Sequence, residues 1–184
     1  MAQFVAFDET VKVQVGGLMA LVGGLSDTFK TKIIEIAEDA GLILDDPTAM
    51  IPWQVELDMY EEIYDLVGEK TLFSMGKAIP EMVPLPPQID SLEKVLHAIN
   101  EAYKMSHVGE NIGYYKVTKF DTEEREAIVE AFNPYPGVFD QGLITGFARR
   151  FKPENSEKVE VELDDSQPSR EIEDDDKSTY VISW

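Results

Sequence analysis

The order of hydrophobic patterns along the chain constrains the fold more than any other feature of this sequence. Four segments between residues 18 and 103 repeat apolar side chains every three or four positions, which is typical of amphipathic helices. Segments after residue 113 are instead rich in strand-forming residues, with one more helical pattern among them. Helices that precede such a region predict an α+β fold, in which a helical layer packs on one face of a mostly antiparallel sheet.

Glycine and proline mark the ends of these segments. The predicted helices are 18–40, 53–67, 69–79, 91–103 and 139–151, and Ser26 or Asp27 can cap a second helix within the first of them. The predicted strands are 4–7, 11–15, 114–120, 126–132, 159–163 and 179–184. Residues 126–132 also fit a helix, but the hairpin spacing favours a strand. The proline-rich run 80–87 is predicted to be a stiff connector.

A single domain is therefore predicted over residues 1–184. Its predicted parts are N-terminal strands in 1–15, a helical part in 17–110, and a sheet with an inserted helix in 113–184. Because 43% of the residues are hydrophobic, a chain of this length can build a core.

The chain carries 36 acidic and 16 basic residues, which gives a formal net charge of −20 at pH 7. Contacts to phosphate groups need clustered Lys and Arg, so this charge argues against nucleic acid and anionic membranes as partners.

The sequence has no apolar run of 18 residues and no signal-peptide pattern at its N-terminus. A cytoplasmic protein is therefore expected.

Cysteine is absent, which excludes disulfides, thiolate metal sites, iron–sulfur clusters and cysteine nucleophiles. The sequence also lacks a phosphate-binding glycine loop and a nucleophile-elbow motif. No nucleophile, base and orienting group can be assembled from its patterns. The chain is therefore not expected to be an enzyme.

The sequence has two histidines, His97 and His107, and His97 is the candidate metal ligand or acid–base group. Glu93, His97 and Glu101 share one face of a predicted helix. Such a stripe can hold a metal, but a solvated polar face is the favoured interpretation.

The acidic run 171–176 lacks the glycine of a calcium loop. It is interpreted as a solvated hairpin loop, with weak divalent-ion binding as the alternative, so no metal site is predicted.

Aromatic and methionine side chains recur at helical spacing, which makes each one more typical of a core than of a pocket. A helical layer over a sheet that is rich in such side chains is nevertheless where an apolar ligand cavity forms. The sequence predicts a ligand pocket lined by Trp53, Tyr64, Phe73, Leu96, His97, Tyr103, Phe132, Tyr135, Phe139 and Phe147.

Residues 133–151 form a corner followed by a helix, in which 142–148 reads Gly-Leu-Ile-Thr-Gly-Phe-Ala. An acidic hairpin and a last strand follow. This arrangement resembles a ligand-binding superfamily that unites the heme nitric-oxide/oxygen-binding (H-NOX) domains, the vinyl-reductase-type small-molecule-binding domains and the Bet3-like subunits of TRAPP tethering complexes. The resemblance implies an H-NOX- or vinyl-reductase-like fold and an apolar pocket.

The chain departs from the heme branch of this superfamily. That branch supplies an axial histidine from the helix that matches 91–103. The matching position here is Leu96, and His97 lies one residue further, about 100° around the helix. The branch also clamps the heme propionates with Tyr-x-Ser-x-Arg, whereas the matching corner 132–136 has no Arg. Relatives often carry a cysteine pair where this chain has Ser169 and Ser178. No cofactor is therefore predicted, and heme is disfavoured.

The leading hypothesis is a non-catalytic sensor domain that holds a small, largely apolar ligand between helices and sheet. It would signal through a homodimer or a protein partner. A TRAPP-like interaction scaffold with a filled interior is the second hypothesis. A heme-based gas sensor that uses His97 is the third.

Overall fold

The computed structural model describes residues 3–23, 27–39, 41–42, 45–170, 175 and 177–184. The helices within these residues are α1 (Gly16–Gly23), α2 (Asp27–Asp39), α3 (Trp53–Val67), α4 (Glu69–Met82), α5 (Leu92–Ser106) and α6 (Gly137–Arg150). The strands are β1 (Lys12–Gln14), β2 (Met50–Pro52), β3 (His107–Val108), β4 (Tyr114–Asp121), β5 (Glu126–Phe132), β6 (Glu160–Leu163) and β7 (Lys177–Ser183). None of the helices described is long and apolar enough to cross a membrane.

Four strands form the main sheet, in the order β4-β5-β7-β6, and every neighbouring pair is antiparallel. Alternate residues of β5 point into the core, where Val129 pairs with Tyr180 of β7. Helices α5 and α6 contact this sheet through β4, β6 and β7. The predicted α+β fold, with helices packed on a mostly antiparallel sheet, is therefore confirmed.

A second, three-stranded antiparallel sheet has the order β2-β1-β3. The sequence predicts its central strand within 11–15, but not the other two strands. Its central strand pairs Val13 with both Ile51 and His107. Strands β2 and β3 are three and two residues long, which is too short for a period-two pattern to show. The pairing holds His107, at the end of α5, beside the N-terminal part of the chain.

The prediction of a strand at residues 4–7 is wrong, because these residues form a turn and irregular backbone. The Gln54 side chain takes the place of a neighbouring strand. Its Nε2 donates to the Phe4 carbonyl at 2.8 Å, and its Oε1 accepts from the Ala6 amide at 2.9 Å. These bonds satisfy backbone groups that a sheet would otherwise pair. Ser26, one of the two predicted helix caps, lies outside the described residues.

Helix α4 continues beyond its predicted end, through Pro80 to Met82. Pro80 supplies no N–H to the carbonyl of Gly76, four residues earlier, and the helix ends two residues after it. Nη1 of Arg150, at the end of α6, donates to the carbonyls of Pro80 and Val83. The first part of the predicted connector is thus the end of a helix, and α6 helps to hold it.

Glycines let α4 and α6 cross with their backbones in contact. A methyl group on Gly142 would lie 2.1 Å from the carbonyl oxygen of Phe73, and one on Gly76 would lie 2.3 Å from that of Phe139. Both distances are far shorter than any van der Waals contact, so neither position accepts a Cβ without movement. The crossing holds α6 against α4 and presents its aromatic side chains to the space beneath α5.

Candidate functional site

A cavity of about 320 Å³ lies where α1, α3, α4, α5 and α6 meet the main sheet. Among the described residues, its wall contains no Lys or Arg, and its ionisable groups besides tyrosine are Glu56 and His107. The exposed residues Gly17 and Ala102 lie at its mouth. The aromatic residues of the wall are Tyr60, Tyr103, Tyr115, Tyr135, Phe139 and Phe147.

The fold brings together part of the pocket predicted from the sequence. Tyr103, Tyr135, Phe139 and Phe147 lie on the cavity wall, although they come from α5, the corner before α6, and α6 itself. Trp53 is fully buried behind the wall, where its Nε1 donates to the Tyr135 hydroxyl at 3.1 Å.

Other predicted pocket residues lie away from this wall. Leu96 is buried in the core of α5 without reaching the cavity, and Tyr64, Phe73 and Phe132 are each partly exposed. Phe132, for example, stacks on Phe7 with ring centroids 4.8 Å apart. These side chains fill the space between elements, as aromatic residues at helical or strand spacing usually do.

The prediction that His97 lines the pocket is wrong. His97 is exposed and lies in a groove on the outer surface. It follows the buried Leu96 by one residue, so its side chain points about 100° away from that core direction. Within the described residues, no group of three or more His, Asp or Glu could hold a metal ion.

Two residues that the sequence patterns missed, His107 and Glu56, are buried at the cavity, with 7% and 2% of their surface exposed. His107 continues the buried row of α5, four residues after Tyr103. Glu56 lies in the buried row of α3, between Trp53 and Tyr60. An ionisable residue at the spacing of a buried helical row, within the helix or directly after it, is the signal that would have found both, because such groups are rarely buried without a partner or a role.

Hydrogen bonds link Glu56 and His107 through Tyr135. The Tyr135 hydroxyl lies 2.5 Å from Oε2 of Glu56 and 3.0 Å from Nε2 of His107. On the other side of the imidazole, Nδ1 lies 2.8 Å from the Tyr103 carbonyl oxygen. Because a carbonyl can only accept, this contact assigns the proton to Nδ1 and leaves Nε2 as the acceptor.

Burial keeps both ionisable groups neutral at pH 7. Desolvation raises the pKa of Glu56 to about 8, although its bond to Tyr135 acts in the opposite direction. Desolvation also lowers the pKa of His107 to about 4. A protonated Glu56 can donate to Tyr135, whose own proton then goes to Nε2 of His107. The cavity wall therefore carries no formal charge at neutral pH.

We expect Glu56→Gln to flatten the loss of stability between pH 6.5 and pH 8. The pKa of Glu56 rises from 4.5 to about 8 on folding, so the folded state binds the proton more tightly and loses stability as pH rises through this interval. His107, whose pKa falls from 6.5 to about 4, has the opposite effect but only below pH 6.5. Urea denaturation at both pH values tests this. Equal slopes in the two proteins would contradict it.

A second buried cluster holds the corner that carries Tyr135. Nη2 of Arg170, in the loop before β7, lies 2.7 Å from Oδ2 of Asp140 in α6, and neither side chain is exposed. Nη1 of Arg170 also donates to the Tyr135 carbonyl at 3.0 Å and to Oδ1 of Asn133 at 2.8 Å. Burial raises the pKa of Asp140 even though the guanidinium lies beside it. The cluster therefore holds the backbone of Tyr135 in place, while the side chain of Tyr135 lines the cavity.

Ser169 and Ser178, at the positions that the resemblance compares with a cysteine pair, are both fully buried. The hydroxyl of Ser178 accepts from Nε of Arg170 at 3.2 Å. The acidic run 171–176 between them lies outside the described residues except for Asp175. Its interpretation as a solvated hairpin loop stays a prediction.

No protein-family model and no curated protein matches this sequence, but several solved structures match its fold. One, from work on heme distortion in the H-NOX family, is 16% identical with a TM-score of 0.65, over 93% of this chain and 94% of that one. An Fe(II) H-NOX mutant from S. oneidensis is 10% identical with a TM-score of 0.66, over 92% and 95%. An unliganded Fe(II) H-NOX mutant from K. algicida is 11% identical with a TM-score of 0.66, over 92% and 95%.

These matches contradict the sequence prediction of no cofactor, because the similar structures are H-NOX proteins described by their heme or its iron. Sequence identities of 9–16% establish the fold alone. Coverage above 90% of both chains shows that the likeness extends well beyond residues 133–151, on which the resemblance was first based. This chain therefore has the H-NOX fold, as the resemblance implied.

Proposed function

We propose that this chain is a non-catalytic sensor domain that holds heme in the cavity, with His107 as the iron ligand. The observation that carries the proposal is the buried, neutral imidazole of His107 at the wall of a cavity inside an H-NOX fold. The third hypothesis from the sequence, heme ligation by a histidine, is thus kept with a different histidine. Bound heme would supply an iron atom with a coordination position for a small diatomic molecule.

The surroundings of His107 fit the role of an iron ligand. A metal-bound imidazole usually donates its second ring N–H to a carbonyl or carboxylate, which sets the tautomer and the ring orientation. Nδ1 of His107 has such a partner in the Tyr103 carbonyl, 2.8 Å away. The Trp53 ring also packs edge-on against the imidazole, with centroids 5.0 Å apart. The orientation of Nε2 is therefore set before any ligand arrives.

Tyr135 offers a way to release Nε2 without leaving an unsatisfied group. Its hydroxyl contacts both Nε2 of His107 and Oε2 of Glu56. When Nε2 is engaged by a ligand, the Tyr135 proton can turn to Glu56, which is an acceptor in either protonation state. Tyr135 and Glu56 are therefore expected to tune how readily His107 binds, rather than to bind iron themselves.

The cavity wall also fits a largely apolar macrocycle. Its aromatic side chains supply ring faces and edges, and neutral Glu56 adds no negative charge against the two heme carboxylates. No Lys or Arg on the described wall would pair with those carboxylates, and the mouth near Gly17 and Ala102 is the exposed part of the wall. The same uncharged wall favours a small, uncharged molecule as the signal.

The test is a hemin titration of the purified protein and two matched variants. We expect the wild type and His97→Ala to develop the same Soret band, because His97 is exposed outside the cavity. We expect His107→Ala to bind hemin at least about tenfold more weakly. Added imidazole should restore its band, which would show that the cavity is intact and that only the ligand is missing. Equal spectra and affinities for both variants would contradict the proposal.

A TRAPP-like interaction scaffold, the second hypothesis from the sequence, required a filled interior. The cavity of about 320 Å³ speaks against it. Signalling through a homodimer or a protein partner remains part of the proposal. Light scattering of the protein with and without hemin measures whether its oligomeric state responds.

A further inference from the structure

A groove runs along the outer face of α5, between this helix and the connector 83–89. It encloses about 740 Å³, more than twice the volume of the cavity. Ala98 and Ala102 form a floor of small side chains, and Leu85 and Ile89 form one wall. Met105 closes one end with 79% of its surface exposed. Unbranched, polarizable methionine side chains are typical of recognition surfaces that accept apolar partners.

The wall opposite α5 is stiff. The connector contains Pro84, Pro86 and Pro87, whose rings fix the backbone φ angle. A turn closed by the Ile89 amide and the Pro86 carbonyl, 2.9 Å apart, leads the chain back to α5. A groove with a stiff wall loses little conformational freedom on binding, which favours a binding surface over a transient gap.

The charges at the groove are mostly negative. Glu93 and Glu101 line it on one side, with exposed His97 between them. Lys94 also lines it, but its ammonium group lies 2.8 Å from Oδ1 of Asp90. A second copy of this chain also carries a net charge of −20, so self-association at this face is opposed by repulsion. A basic partner is favoured by the same charge.

The groove and the cavity share part of their walls. Gln14, Val83, Ala102 and Ser106 line both. Ser106 directly precedes His107, which faces the cavity. A molecule that changes the packing of the end of α5 from the inside therefore also changes the shape of the groove outside.

We propose that this groove binds a basic amphipathic helix of a partner protein. The stripe from Glu93 to Met105 spans roughly 18 Å, the length of three helical turns. Apolar residues of the partner helix would lie on Ala98 and Ala102, while its Lys or Arg residues would face Glu93 and Glu101. The role of the groove as signal output rests on the proposed sensor function, but the docking itself does not depend on heme.

The test measures binding of a labelled helical peptide, with leucine on one face and lysine on the other, to the protein without added hemin. Met105→Arg adds one positive charge inside the groove. Ile34→Arg adds the same charge on α2 at a position 41% exposed outside it. We expect saturable binding at one site, weakened about tenfold by Met105→Arg and less than about twofold by Ile34→Arg.

Each other outcome would overturn the proposal. Equal weakening by the two variants would mean that only the net charge attracts the peptide. Equal binding of a peptide with glutamate in place of lysine would show that the charge of the groove does not select a basic partner. Loss of peptide binding on dimerisation through this face, seen by light scattering, would mean that a second copy covers it. Because hemin is absent, none of these results depends on the outcome for His107.

Discussion

Arg170→Met is expected to lower the free energy of unfolding by about 3–5 kcal/mol. The guanidinium and the Asp140 carboxylate lie 2.7 Å apart with no exposed surface on either side chain. Removing the cation leaves a buried carboxylate without its charge partner, and removes donors from the Asn133 and Tyr135 carbonyls. The loss is therefore expected to exceed the usual cost of a surface substitution by several fold. Urea denaturation at neutral pH measures it.

The exposed pair of Lys94 and Asp90 provides the control. Its atoms are 2.8 Å apart, similar to the buried pair, but its side chains are 52% and 62% exposed. Lys94→Met is expected to cost less than about 1 kcal/mol, because water screens the pair. Adding Asp140→Asn to Arg170→Met should recover part of the loss, because an amide needs no counter-charge. A loss in Arg170→Met no larger than that in Lys94→Met would contradict this account of the cluster.

Arg170→Met is also expected to affect the cavity. Arg170 holds the backbone of the corner through the Tyr135 carbonyl, and the Tyr135 hydroxyl reaches Glu56 and His107. If the corner shifts in Arg170→Met, the hydrogen bond to Nε2 of His107 is expected to weaken as well. A structural cluster and the cavity are thus coupled through one tyrosine.

The sequence alone predicts those helices and strands whose signals lie within the segment itself. Helix α5 has a buried row at helical spacing and a serine cap, Ser91, whose side chain accepts from the Lys94 amide. Strand β5 alternates buried and partly buried residues along its whole length. In both cases propensity, patterning and tertiary packing favour the same structure, and the prediction was confirmed.

Local signals could not predict the three-stranded sheet. It joins residues near 13, 51 and 107, and the strands near 51 and 107 are too short to show a period. The prediction of a strand at 4–7 failed for a related reason, since apolar residues there pack on other side chains while Gln54 binds the backbone. In these segments, the partner that determines the structure is distant in sequence.

The site was predicted in part, for a physical reason. Aromatic residues at helical spacing indicate an interior, so Tyr103 and Phe139 were found, but spacing does not separate a cavity wall from solid core. Glu56 and His107 were missed because ionisable residues are usually assigned to the surface. Both contact Tyr135 in the folded protein, and the sequence gives no sign that this distant tyrosine is their partner.

Gly142→Ala is expected to lower the free energy of unfolding by about 3 kcal/mol. The new methyl group would lie 2.1 Å from the Phe73 carbonyl oxygen and 3.1 Å from the Lys77 amide nitrogen. Both are backbone atoms of α4, so no side-chain rotation relieves the contact and the two helices must separate. The higher helix propensity of alanine, worth about 1 kcal/mol, acts against this loss and does not cancel it. Urea denaturation with comparison of midpoints measures the difference.

Gly17→Ala isolates the propensity contribution, because Gly17 is also helical but a methyl group there has no neighbour closer than 4.0 Å. It is expected to leave stability unchanged or raise it by up to about 1 kcal/mol. Gly76→Ala, with a contact of 2.3 Å to the Phe139 carbonyl, should resemble Gly142→Ala. Because the first substitution already separates the helices, the double variant should lose less than the sum of the two. Additive losses, or a neutral Gly142→Ala, would show that α4 and α6 do not depend on backbone contact.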